Sequence, residues 1–254
     1  MALLEVKQLT KHFGGLTAVG DVTLELNEGE LVGLIGPNGA GKTTLFNLLT
    51  GVYEPSEGTV TLDGHLLNGK LPYKIASLGL GRTFQNIRLF KDLTVLDNVL
   101  IAFGNHHKQH VFASFLRLPA FYKSEKELKA KALELLKIFD LDGDAETLAK
   151  NLAYGQQRRL EIVRALATEP KILFLDEPAA GMNPQETAEL TELIRRIKDE
   201  FKITIMLIEH DMNLVMEVTE RIYVLEYGRL IAQGTPDEIK TNKRVIEAYL
   251  GGEA

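Results

Sequence analysis

Gly36-Pro37-Asn38-Gly39-Ala40-Gly41-Lys42-Thr43 is the stretch that decides how this chain folds. Its spacing is G-x-x-x-x-G-K-[ST], the pattern of a phosphate-binding loop. Leu31-Val32-Gly33-Leu34-Ile35 precedes it and reads as a buried strand; Thr44-Leu45-Phe46-Asn47-Leu48-Leu49 follows and reads as the start of a helix. Strand, glycine-rich loop and helix, in that order, are the setting the pattern needs. The glycines let successive backbone N–H groups turn inward around phosphate oxygens, and the helix N-terminus adds positive potential there. Asn38, Gly39, Ala40, Gly41, Lys42, Thr43 and Thr44 are therefore the candidate triphosphate contacts. Lys42 reaches the β- and γ-phosphates, and the Thr43 hydroxyl is suited to Mg²⁺.

Working outward, residues 3–9 and 19–26 partly alternate apolar and polar side chains, as half-buried strands do. Thr59-Val60-Thr61-Leu62 reads as a further strand ending in a turn at Asp63-Gly64. Helical signals dominate residues 96–167. Ser124-Glu125-Lys126-Glu127 has the capping-box form, and Leu128, Ala132, Leu135, Leu136 and Phe139 then fall on one helix face. Residues 105–122 read as a loop-rich insertion. After Pro170 strands and helices alternate again: Ile172-Leu173-Phe174-Leu175 as a buried strand, Asn183-Pro184 opening a helix, Thr204 to Ile208 as the next strand, and a hairpin turning at Tyr227-Gly228. The expectation is an α/β chain: a phosphate-loop core with N-terminal antiparallel strands over residues 1–95 and 168–254, interrupted by a helical subdomain over 96–167.

Composition bounds the alternatives. The chain has 254 residues, enough for a sizeable core, with 45% hydrophobic and 25% charged residues, as in ordinary globular proteins. A formal net charge of −6 gives no bulk attraction to nucleic acid. There is no cysteine, so disulfides and thiolate metal sites are excluded. The N-terminus does not read as a secretory signal, and no apolar run approaches the length of a membrane span. Membrane association is expected only through a partner.

Lys171-Ile172-Leu173-Phe174-Leu175-Asp176-Glu177 runs four apolar residues into two acids. Beside a phosphate loop this is the Walker B arrangement. Asp176 is the candidate to orient Mg²⁺ or its water, and Glu177 the candidate general base for the attacking water. Other residues carry blander readings. Arg158 and Arg159 read as a solvated helix face. His106, His107 and His110 hold helix-face spacing for a metal but have no third ligand nearby, so they are not taken as a metal site.

With these motifs in order, the chain resembles the nucleotide-binding subunits of ABC transporters over essentially its whole length. Asn151-Leu152-Ala153-Tyr154-Gly155-Gln156-Gln157 stands where that family's signature, usually L-S-G-G-Q, belongs. Gln85 in Arg82-Thr83-Phe84-Gln85-Asn86 matches its Q-loop glutamine, Ala180-Gly181-Met182-Asn183 its D-loop, His210 its switch histidine and Phe13 its adenine-stacking aromatic. Phe13 also reads as core. The signature departs from the family pattern: Ala153 replaces a serine and Tyr154 a glycine. L-A-Y-G-Q-Q-R-R-L-E-I-V-R-A-L, A-A-G-M-N-P and H-F-G-G-L-T-A-V look like the ATPase subunits of branched-chain amino acid importers.

The resemblance implies ATP as substrate and Mg²⁺ held by Thr43, Gln85 and Asp176. It implies catalysis by Glu177, His210 and Lys42, with Tyr154, Gly155 and Gln156 contacting ATP held by a second ATPase subunit, identical or different. It implies transmembrane permease subunits as partners, a peripheral place on the cytoplasmic face of the cell membrane, and no nucleic acid. The apolar stretch Ile87, Leu89 and Phe90 is then expected either to receive a permease helix or to pack internally. The rival expectation is a soluble ABC-type ATPase acting on nucleic acid or ribosomes, though such proteins typically fuse two nucleotide domains or carry long coiled-coil insertions.

Overall fold

Short runs of leucine, isoleucine and valine build the strands on which the site rests. The computed structural model describes residues 2–103 and 119–250. The chain divides into two compact units: Met1–Arg82 with Lys171–Ala254, and Thr83–Pro170.

The first unit holds two sheets. An antiparallel sheet has the order β2-β1-β4-β5, with β1 Ala2–Phe13, β2 Leu16–Asn27, β4 Glu57–Leu62 and the short β5 His65–Leu66. A six-stranded sheet has the order β10-β9-β3-β8-β7-β6, with β3 Leu31–Ile35, β6 Leu80–Arg82, β7 Ile172–Asp176, β8 Thr204–Ile208, β9 Arg221–Glu226 and β10 Arg229–Gly234. Its pairs are parallel except the β9–β10 hairpin. Every residue of β3, β7 and β8 is buried, as expected of parallel strands covered on both faces.

Helix α1, Lys42–Leu49, shares one apolar cluster with both sheets: Leu24 and Leu62 on one side, Phe46 and Leu49 in the middle, Val32, Phe174 and Met206 on the other. The remaining helices of this unit are α2 Pro72–Ser77, α6 Pro184–Phe201, α7 Met212–Val218, α8 Pro236–Thr241 and α9 Lys243–Leu250. Asn183 caps α6 by accepting from the Glu186 N–H at 3.0 Å, with Pro184 at the first helical position, as its sequence suggests.

The second unit packs α3 Val95–Phe103, α4 Pro119–Ile138 and α5 Tyr154–Leu166 around Val99, Leu128, Ala132, Leu136 and Phe139. Two expectations change here. Helix α4 spans Pro119–Ile138 among the described residues, so Ser124 lies inside it rather than at its cap, and residues 119–122 of the expected loop-rich insertion are helical. The unit also begins before residue 96. Its leading segment is tied by buried polar side chains: Arg158 donates to the carbonyls of Phe84 (2.9 Å) and Gln85 (2.5 Å), and Asn98 brackets both backbone groups of Phe90 at 3.0 Å. His106, His107 and His110, and residues 105–118 of the expected insertion, lie outside the described residues.

Candidate ATP site

Three loops leave the carboxyl ends of adjacent parallel strands β3, β8 and β7, the edge where open α/β sheets bind ligands. The loop after β3 is the phosphate-loop candidate. Gly36 admits no side chain, since a Cβ there would lie 2.1 Å from the Leu225 carbonyl oxygen. Gly41, at φ 98°, caps α1, and its Cβ would meet the Ala18 carbonyl oxygen at 2.6 Å. Helix α1 thus starts at Lys42, two residues before the apolar run that marks it in the sequence.

Lys42 is buried and donates to the carbonyls of Gly36 (2.7 Å) and Pro37 (3.0 Å). Burial holds its ammonium below the ordinary lysine range, and the Glu177 carboxylate opposes that shift. Asn38, Gly39, Ala40 and Thr43 belong to the same loop and helix start, and the Thr43 side chain is exposed. Phe13 is 43% exposed and meets Tyr53 edge-on at 5.4 Å between ring centroids, so it is not a core residue.

After β7 the chain turns sharply. Glu177 takes a left-handed φ of 49°, and its N–H donates to the Ile208 carbonyl at 2.9 Å. Its Oε1 lies 2.7 Å from His210 Nε2, from the loop after β8. With Glu177 as a carboxylate, Nε2 is the donor. The base candidate and the switch histidine are therefore brought into contact, although 33 residues separate them.

Two residues given no role in the sequence organise this edge. Arg82 donates to Asp176 Oδ2 at 2.8 Å and also, at 2.8 Å each, to Asn47 of α1 and to Thr50 at its C-terminal cap. Glu209, buried, accepts from the Ala179 N–H at 2.7 Å and the His210 N–H at 3.0 Å; burial raises its pKa. The acid directly before a candidate switch histidine was the available signal for Glu209. Arg82 had none, because its partner lies 94 residues away.

The second unit carries the other expected residues. Gln85 is exposed, and its carbonyl accepts from Arg158. Arg158 is not on a solvated face: it is 3% exposed and pairs with buried Glu161 at 3.3 Å. Glu161 in turn accepts from the Phe84 and Arg88 N–H groups. Helix α5 starts at Tyr154, so Ala153 is its N-cap and offers no oxygen. Gln156 Oε1 accepts the Ala153 N–H at 3.1 Å instead, while its Nε2 donates to Asp144 at 2.8 Å. Tyr154 is exposed and Gly155 buried. Phe90 is exposed, with the Arg164 guanidinium 4.8 Å from its ring centroid.

The family model described as "ABC transporter" matches residues 19–180, which holds the phosphate loop, both acids and the departed signature. The chain belongs to the ABC transporter family. A second model, "Branched-chain amino acid ATP-binding cassette transporter", matches residues 229–254. Among curated ABC proteins, the chain is 52% identical to the high-affinity branched-chain amino acid transport ATP-binding protein LivG of Salmonella typhimurium, over 98% of each chain. Among solved structures, it resembles the ADP conformation of MJ1267, an ATP-binding cassette of an ABC transporter, at 32% identity with a TM-score of 0.85 over 99% of each chain. It also resembles MJ0796, an ABC cassette in a dimeric post-hydrolysis state bound to ADP and Pi, at 27% identity with a TM-score of 0.78 over 92% of this chain and 98% of that one. The resemblance read in the sequence is thus the family itself. No helix among the described residues is long and apolar enough to cross a membrane.

Proposed function

We propose that the chain is the ATP-hydrolysing subunit of an importer for branched-chain amino acids, acting as a dimer of such subunits on membrane permeases. The observation that carries the catalytic part is the Glu177–His210 contact beside the phosphate loop. The transport part rests on the LivG relative and on the matched C-terminal segment. These favour a transporter over an ATPase acting on nucleic acid or ribosomes.

The donor set of the first unit fits Mg²⁺, a hard cation that takes oxygen ligands: an exposed Thr43 hydroxyl and the Asp176 carboxylate. When bound, the ion neutralises charge on the β- and γ-phosphates. The protein does the rest. Phe13 stacks on the adenine. Backbone N–H groups from Asn38 to Thr44 surround the phosphates, and Lys42 turns from the Gly36 and Pro37 carbonyls to the phosphate oxygens. Arg82 keeps the Asp176 carboxylate oriented. Glu177 accepts the proton of the attacking water, and His210 holds Glu177 and meets the γ-phosphate. Catalysis on this scheme is positioning and charge neutralisation.

The Tyr154-Gly155-Gln156 region of one subunit then closes over ATP held by the other. A dimeric cassette with ADP and Pi is known for the 27%-identical relative. Phe90, exposed yet fixed through its backbone by Asn98, suits a permease helix, and docking there would account for a peripheral position on the cytoplasmic membrane face.

The test is Glu177→Gln in the complex assembled with its permeases. ATP binding persists and turnover falls by at least about 100-fold, the contribution of a general base. Parental turnover in that variant removes Glu177 from the role. Uptake of radiolabelled leucine by the parental complex in proteoliposomes, dependent on internal ATP, tests the substrate class.

A further inference from the structure

The C-terminal helix α9 lies far along the chain from the phosphate loop, yet it reaches it. Val245 and Ala248 are on the buried face of α9. Arg244 pairs with Glu226, the last residue of β9. Tyr249 packs on a cluster that includes Ile35, the residue before the loop. Tyr249 also walls a cavity of about 370 Å³ together with Gly36, Pro37, Asn38 and His210. Burial raises the pKa of its hydroxyl, consistent with a phenol set into the cavity wall that it shares with the loop's first glycine.

The opposite flank of the loop has its own support. The Gly228 N–H, in the β9–β10 turn, donates to the Ala40 carbonyl at 2.8 Å. The first limb, Gly36–Pro37, is held differently: its two carbonyls accept from Lys42. Lys42 is also the group that must leave them to meet a phosphate. Once it does, the Gly36 carbonyl loses its Lys42 bond and the Pro37 carbonyl keeps only the Ala40 N–H at 3.1 Å, while Tyr249 still walls the cavity beside them.

We propose that Tyr249 is a positioning residue for ATP binding, bracing the Gly36–Pro37 limb of the phosphate loop when Lys42 turns to the nucleotide. The inference rests on the ATP-binding reading above. The brace matters more in the nucleotide-bound state than in the free one, so it acts on affinity more than on folding. It also gives the C-terminal segment a task at the nucleotide.

The experiment compares the full parental chain with Tyr249→Phe, which keeps the ring and loses the hydroxyl, and Val245→Ala, which loosens α9 without touching the loop. Calorimetry with ADP, ATPase KM and kcat, and thermal melts are read on each. Tyr249→Phe is expected to weaken ADP binding and raise KM about three- to tenfold, as for the loss of one polar contact, with kcat and melting temperature near parental. Val245→Ala is expected to melt lower and bind ADP normally. Parental affinity in Tyr249→Phe overturns the proposal. So does an equal affinity loss in both variants, which would make α9 a general stabiliser. If the parental chain itself fails to bind ADP, the ATP-site reading falls first and takes this inference with it.

Discussion

Arg82 and Asp176 form an ion pair at 2.8 Å with side chains only 7% and 3% exposed, so the candidate metal-orienting acid is fixed by a cation from the neighbouring strand. Removing one partner of a buried pair leaves the other charge uncompensated. Arg82→Met is expected to cost about 3 kcal/mol and to lower the melting temperature by roughly 6–12 °C. Arg82→Met combined with Asp176→Asn recovers part of that loss. A single variant that melts like the parental chain would show that the pair contributes nothing.

Lys42 separates stability from binding. Its folded pKa lies below the ordinary 10.5, so the unfolded chain holds the proton more tightly. The contribution of Lys42 to stability therefore rises with pH between the folded pKa and 10.5. Against Lys42→Met, which lacks this titration, the parental chain should gain relative stability as denaturation is followed from pH 7 toward pH 10. At pH 7 the variant should lose roughly 10- to 100-fold in ATP affinity, as a charged hydrogen-bonding partner is removed. A pH-independent stability difference would contradict the buried-ammonium account.

Arg158 offers a direct contest between two readings. On a solvated face, Arg158→Leu would change stability by less than about 0.5 kcal/mol. Buried against Glu161 and the Phe84 and Gln85 carbonyls, it should cost about 3 kcal/mol. Urea denaturation of both proteins decides.

Ala153→Ser adds an oxygen at the N-cap of α5, where Gln156 already accepts the Ala153 N–H. The hydroxyl completes the reciprocal box, worth about 1 kcal/mol and roughly 2–4 °C in melting temperature. ATP-driven dimer closure should be equal or tighter. A lower melting temperature would mean that Tyr154 leaves no room for the hydroxyl.

What was legible in the sequence was local. Apolar runs such as Ile172 to Leu175 and Ile205 to Ile208 read as buried strands because parallel strands covered on both faces leave little room for polar side chains. The phosphate loop is contiguous and carries its own spacing. Ser124 misled because a capping pattern inside a helix is indistinguishable from one at its start. Arg158 misled for a related reason: helical periodicity counts apolar residues, and a buried Arg–Glu pair looks like solvent-facing charge. Asp176 with Arg82 and Ala179 with Glu209 depend on which strands are neighbours. That is a property of the assembled sheet, which no window of sequence contains.

The Glu209 carboxylate holds the Ala179 N–H with one oxygen and the His210 N–H with the other. Surface loops ordinarily absorb inserted residues at little cost. These two do not have that freedom. One residue added between Asp176 and Ala179, or between Ile208 and His210, would slide one amide away from its oxygen and carry Glu177 or His210 out of mutual reach. Lineages of this chain should therefore keep these loops at constant length, and deep insertion scanning should find both segments closed to indels while the β4–β5 turn tolerates them.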